Sequence, residues 1–124
     1  MNSRLNDEQV SDAERTLDVN EIVYVPQELL NIWGDIPPEL SSYELMQYIK
    51  PIKNWLLENV KNHDALLIQG EPISVYYIVY WMAQKDIKSY VATTRRVVVE
   101  EQLPDGSIVK KSTFRHVRFR RYIT

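Results

Sequence analysis

Apolar positions recur along this chain with two periods, and the changes of period mark out its elements. Near the start they are sparse: Leu5, Val10, Ala13 and Leu17. With Gln9 beside Val10, that spacing predicts a helix from Leu5 to Thr16 with a thin apolar face. Asn6 is its expected N-cap, and Asp7 and Glu8 put negative charge in the first turn. Glu21 to Val25 is a short β-branched run between Asn20 and Pro26, and it reads as a strand. Pro26 opens a short helix through Trp33, because proline suits the first helical position. Gly34, Pro37 and Pro38 stop it. Ser41 or Ser42 caps the next helix, with Glu44 in its first turn. Leu45, Tyr48, Ile49, Ile52, Leu56 and Val60 carry that helix at near 3.6 spacing, and Pro51 predicts a kink or break within it.

Ala65 to Gln69 is a short continuous apolar run, as a buried parallel strand requires, and Gly70 ends it. Pro72 then opens a long segment that is apolar around most of its circumference. Its length and leading proline predict a helix buried on more than one side. Tyr76, Tyr77, Tyr80 and Trp81 on it either face a second subunit or complete a small core within one chain. Lys88 to Ala92 is the next strand. The order helix, strand, helix, helix, strand, helix, strand, hairpin predicts a single α/β domain over 1–124. Its sheet is expected to be mostly parallel and flanked by helices, with a C-terminal antiparallel hairpin.

That hairpin lies within Ser89 to Tyr122. Asp105-Gly106 is a strong turn signal, since both central positions of a two-residue loop need φ > 0. Such a loop sets Glu101 opposite Lys110 and Glu100 opposite Lys111, both favourable. It also sets Arg96 opposite Arg115 and Arg95 opposite His116, which repel when charged. The charge pattern is satisfied near the turn and frustrated at the base, beside Thr93-Thr94. Either an anion relieves that frustration, or the arginines splay into solvent or pair with acids elsewhere.

Composition narrows the picture. The 124 residues, 44% hydrophobic, fit one globular domain. There is no cysteine. Disulfides and thiolate metal sites are thereby excluded, and a reducing cytoplasm is the expected compartment. The polar N-terminus lacks the apolar core of a signal peptide. The longest apolar run, Val75 to Ala83, is far short of a membrane span. Net charge is −2, unevenly spread: residues 1–87 hold 6 Lys/Arg and 14 Asp/Glu, and residues 88–124 hold 9 and 3. The basic end either takes a local anionic partner or meets the acidic end, within a chain or across a dimer.

In open α/β sheets, ligands bind beyond the carboxyl ends of the strands. Two spots fall there. Gln69 and Gly70, before Glu71, form a strand-to-helix turn whose free N–H groups suit an anion. Glu71 carries the wrong charge for it, and an ordinary turn is the alternative. Thr93, Thr94, Arg95 and Arg96 combine hydroxyls with guanidiniums, as phosphate or ribose contacts need. On the return strand, alternation puts His116, Arg118 and Arg120 on one face and Val117 and Phe119 on the other. Val117 and Phe119 suit the core, which leaves His116 on the polar side as a base, a phosphate donor or a plain surface residue. His63 sits in a polar loop and is expected to be inert. No metal cluster, G-x-S-x-G or phosphate-binding loop is present. Any catalysis must rest on positioning and charge.

These residues resemble a known family. ALLIQG, VATTRRVVVEEQLPDGSIVKKS and FRHVRFRRY are similar to segments of a small CRISPR-associated family of type III systems, the Csx proteins numbered twenty. LNDEQVSDA, EIVYVPQELLNIWGDIPPEL and PIKNWL resemble that family's early region. The resemblance implies a Rossmann-like fold related to CARF domains. It implies a ring nuclease that binds cyclic tetra-adenylate and linearises it, ending the antiviral signal. It implies no cofactor and a homodimer with the ring across its twofold axis; neither membrane nor DNA is an expected partner. On it, Arg95 and Arg96 hold phosphates, Thr93 and Thr94 meet ribose or phosphate, Arg118 also binds the ligand, and His116 is a base or acid. Members begin with an apolar strand, whereas Met1-Asn2-Ser3 stands where that strand should end. Either the start is trimmed or misassigned, or another chain supplies the strand. Two rivals remain: a non-catalytic binder of the same ring, and a single-stranded nucleic-acid binder stacking bases on Phe114, Phe119 and Tyr122.

Overall fold

Local capping chemistry starts the helices where the sequence places them. The computed structural model describes residues 4–124; the expectation about Met1-Asn2-Ser3 lies outside the described residues. Asn6 Oδ1 accepts from Gln9 N at 2.9 Å, and Gln9 Oε1 accepts from Asn6 N at 3.0 Å. This reciprocal box opens α1 (Asp7–Thr16). Pro26 precedes α2 (Gln27–Gly34). Ser41 and Glu44 form a second box, at 3.2 and 3.1 Å, before α3 (Ser42–Tyr48). Pro51 does break the run: α4 (Lys50–Asn59) begins anew after Ile49, with the proline in its first turn.

Glu21–Val25 corrects the sequence reading, since it joins no strand. Val23 is exposed, and the Tyr24 hydroxyl accepts from Leu5 N at 3.4 Å. Strand propensity is realised only against a neighbouring ladder, and this segment has none.

The remaining elements are β1 (Ala65–Leu67), α5 (Pro72–Gln84), β2 (Lys88–Gln102) and β3 (Ile108–Arg121). The class is α/β, with a three-stranded sheet in the order β1-β2-β3. β1 pairs parallel to β2 from Ala65↔Lys88 to Leu67↔Tyr90. β2 pairs antiparallel to β3 along almost its full length. The expected mostly parallel sheet is therefore corrected to a mixed one in which the antiparallel ladder dominates. The cause is that β2 runs straight through Thr93-Arg96 instead of ending at Ala92.

The sheet is covered on two sides. Leu66 and Ile68 join Ile52, Leu56, Ile78 and Met82 in the main core. Leu66 pairs with Ser89, so alternation puts Ala92 and its partner Phe119 on the opposite face. There α1 packs, with Asp12 and Ala13 buried. On α5, Tyr76 and Tyr80 stack at 6.4 Å and are exposed, whereas Tyr77 packs on the core. Lys53 Nζ lies 4.0 Å from the centroid of the half-buried Trp81 ring and donates to the Tyr77 hydroxyl at 3.0 Å.

Two aromatic side chains pin the end of β1. Trp33 Nε1 donates to the Gln69 carbonyl at 2.8 Å, and the Tyr122 hydroxyl donates to the Ile68 carbonyl at 2.9 Å. Gly70 makes the first contact possible. A Cβ there would sit 2.6 Å from Trp33 Nε1.

The hairpin loop holds three residues, not two. Leu103 N donates to Ser107 O at 2.8 Å, and Gly106 N donates to Leu103 O at 2.9 Å. Pro104, Asp105 and Gly106 lie between them, and of the three only Gly106 has positive φ, +87°. This is the tight turn followed by a left-handed glycine. One extra loop residue shifts the register by one. Glu100 faces Lys110 directly, while Lys111 reaches Glu101 diagonally at 2.6 Å. Arg95, not Arg96, stands opposite Arg115, and Thr94, not Arg95, stands opposite His116.

Gly70→Ala is expected to lower stability by about 1–3 kcal/mol, the range for forcing extra volume into packed surroundings. Urea denaturation of the variant checks this, and an unchanged midpoint would mean that the indole yields freely.

Candidate functional site

A second irregularity shapes the base of the hairpin. Thr93 pairs with Arg118 and Thr94 with His116, so Val117 is left over as a bulge. The Thr93 hydroxyl bridges the gap: Oγ1 donates to Arg118 O at 3.0 Å and accepts from Arg118 N at 3.3 Å. One extra residue reverses the alternation beyond it. His116 and Phe119 therefore share a face, with ring centroids 4.7 Å apart.

This corrects the expected position of His116. Its side chain is 4% exposed, and Nε2 lies 2.7 Å from Asp12 Oδ2. Val117, assigned to the core by simple alternation, is exposed. The Asp12 carboxylate also accepts from Arg15 and from Thr16 Oγ1, both at 3.2 Å. An acceptor carboxylate fixes Nε2 as the protonated nitrogen. His116 Nδ1 is buried with no hydrogen-bond partner. The His116 bond holds the Asp12 carboxyl below its ordinary 3.8, against the burial that pushes it up; Arg15 and Thr16 assist. Sequence reasoning missed this pair. Its members are 104 positions apart, and the only trace was the acidic first half meeting the basic end.

The other site residues divide into committed and free groups. Thr93 is taken up by the bulge. Arg96 donates from Nε and Nη2 to Ser112 Oγ at 3.0 and 2.8 Å. Arg115 pairs with Glu8 of α1. Arg95 and Thr94 are exposed and have no side-chain partner among the described residues. Among the described residues, neither Arg95 nor Arg96 meets a carboxylate. Thr93 lies three residues beyond Tyr90, the last partner of β1, roughly 10 Å past the parallel pairing at strand rise. Arg118 instead lines a cleft against α1 with Arg15 and Arg121.

Gln69 and Gly70 are held at a packed turn. The Gln69 carbonyl serves Trp33 and Gly70 makes room for it. The N-terminus of α5 already holds an anion of its own. Glu71 accepts from Ile73 N at 2.9 Å, Ser74 N at 2.8 Å and Ser74 Oγ at 2.9 Å. Burial opposes ionisation of Glu71, but the Ser74 and Ile73 donors outweigh it and hold its carboxyl low. Two of the three proposed base-stacking platforms are also spoken for. Phe119 is 6% exposed and Tyr122 packs on the core; Phe114 alone is open. Among the described residues, no three His, Cys, Asp or Glu side chains converge as metal ligands. No helix among them is long and apolar enough to cross a membrane.

Fold and site together define an α/β protein with a mixed three-stranded sheet and a basic hairpin base. The chain belongs to the family described as the uncharacterized protein MJ1673 family, whose model matches residues 1–120. It is similar to the uncharacterized protein MJ1673 of Methanocaldococcus jannaschii, with 36% identity over 119 residues, covering 96% of this chain and 90% of the relative. No solved structure matches the chain.

The folded-state pKa of Asp12 lies below the unfolded one. Its stabilisation is thus complete above 3.8 and is lost as pH falls through the lowered value. Denaturation midpoints near neutrality and at about pH 3 should show a larger acid loss for wild type than for Asp12→Asn. Equal losses would remove Asp12 from the acid response. At neutral pH, His116→Ala should cost roughly 1–3 kcal/mol by leaving the buried carboxylate short of a donor.

Proposed function

We propose that this protein binds cyclic tetra-adenylate at the base of its hairpin and linearises it without a metal, as a ring nuclease with a Rossmann-like, CARF-related domain. One observation carries the reading: Arg95 is an exposed guanidinium with no side-chain partner among the described residues, opposite Arg115 and past the last residue that β1 pairs with. Only half of that like-charge contact is neutralised from within, because Glu8 takes Arg115. A phosphodiester anion supplies the missing half.

The chemistry asks little of the protein beyond placement. A ribose 2′-OH held in line with the adjacent phosphorus attacks it and displaces the 5′-oxygen. The product end is a 2′,3′-cyclic phosphate. The 2′-OH proton leaves to water, and the departing 5′-oxygen takes a proton from water. Orientation gives most of the acceleration. Arg95 holds the phosphate and stabilises charge on the phosphorane; Arg96, fixed by Ser112, stands behind it. Thr94 alternates to the other face of β2, opposite His116, and would reach ribose only around the strand's edge past β1. His116 is assigned a positioning role, since a side chain bonded to Asp12 and shut from solvent cannot reach a ring. A fourfold ring has twofold symmetry, so two copies of the chain host it best.

Incubation with cyclic tetra-adenylate plus EDTA, followed by chromatography, tests the reading. Linear product supports a nuclease. An intact ring held in a stable complex supports a binder that sequesters the ligand, and no interaction rejects both. Arg95→Ala should slow cleavage more than tenfold while the thermal midpoint stays close to wild type. Unchanged turnover in Arg95→Ala and in Arg96→Ala would reject the site.

A further inference from the structure

We infer that the cleft between the end of α1 and the base of β3 is a second binding site, for a nucleoside monophosphate. It is separate from the hairpin-base reading, because Thr94, Arg95 and Arg96 do not line it; Arg118, expected from the sequence to bind the ring, lies here instead. The cleft measures about 380 Å³, within the size range of small-ligand sites. Arg15, Arg118 and Arg121 are among its lining residues. Arg118 reaches only the Phe119 carbonyl, at 3.5 Å, and Arg121 has no side-chain partner among the described residues. Asp12 is the one acid on the lining, and its oxygens are engaged by His116, Arg15 and Thr16. Three cations against one anion leave a charge of two to be met.

The rest of the lining is uncharged. Leu17, Tyr90, Val117 and Phe119 supply apolar and aromatic surface. A ligand that matches both parts carries a flat, largely apolar body and a terminal group of charge near −2. A phosphate monoester reaches about −1.5 to −2 at neutral pH. Guanidiniums pair with it bidentately, and a planar base fits against tyrosine and aliphatic side chains. Inorganic phosphate satisfies only the charged end, and a nucleoside only the apolar walls. The bulge makes the cleft: without Val117 as the extra residue, alternation would turn Phe119 away from the α1 face.

The test is calorimetric titration of the intact protein with AMP, adenosine and inorganic phosphate. Saturable AMP binding is expected, at least tenfold tighter than either fragment and weaker at higher salt. Arg118→Ala and Arg121→Ala should each weaken AMP at least tenfold. Both side chains are exposed, so the variants should keep the wild-type thermal midpoint, which is measured alongside. Arg121→Lys retains the charge and should lose less than Arg121→Ala. No saturable AMP binding at about 1 mM would overturn the inference. So would AMP affinity that is unchanged in Arg118→Ala and Arg121→Ala, or adenosine binding as tightly as AMP.

Discussion

The bulge at Val117 is the constraint on which the lower half of the hairpin depends. It costs one regular step of the ladder, and the Thr93 hydroxyl replaces it by serving both the carbonyl and the amide of Arg118. In return it reverses alternation, so His116 and Phe119 turn to the same side. That gives α1 an apolar ring and a hydrogen-bonding ring to sit on. It also cancels the shift made by the three-residue loop. Past the bulge, Ala92 faces Phe119 and Val91 faces Arg120, the register a two-residue loop would have set. Two irregularities of one residue each thus restore the pairing where the sheet meets the core.

Charge asymmetry is resolved only in part inside the chain. Glu8 and Asp12, one helical turn apart, meet Arg115 and His116. The two contacts are unequal. Glu8 and Arg115 are both well exposed, and such pairs are worth about 0–1 kcal/mol. Asp12 and His116 are nearly sealed, where an unmet partner is costly. The buried bond therefore does more than the surface pair to hold α1 on β3. What this arrangement leaves over is positive charge, at Arg95, Arg118 and Arg121.

Local signals were legible and separations in space were not. Asn6, Ser41 and the break at Pro51 act within a few residues, and each was readable from spacing alone. The α/β class followed from the order of apolar runs. Asp105-Gly106 located the turn, but whether Pro104 joins the loop is decided by backbone bonding that letters do not encode. The bulge left no mark either, so the parity of His116 came out reversed. Glu21–Val25 had strand composition without a strand to pair with. Gly70 was visible as a lone glycine after a strand, yet its reason is Trp33, 36 positions upstream of the Gln69 carbonyl that the indole binds. The readable part of the site was the set Thr93 to Arg96, a contiguous segment; the unreadable part was what each of those side chains was already doing.

The hairpin beyond its base raises a last question of stability. Arg95–Gln102 and Ile108–Arg115 form a two-stranded ribbon with Val98, Ile108 and Phe114 exposed. A two-stranded ribbon alone is marginal in water. Its internal contacts are surface ones: Lys111 with Glu101, Glu100 facing Lys110, and Arg96 with Ser112. None of these outweighs much chain entropy. The ribbon is ordered chiefly from below, where α1 clamps Arg115 and His116. Arg95 lies at the boundary between the clamped base and the weakly held ribbon. An anion joining Arg95 to the base would extend order upward along the ribbon, and apolar cover on Val98, Ile108 and Phe114 would extend it downward. Were both present, they would favour one another, since each would reduce the ordering cost left for the other.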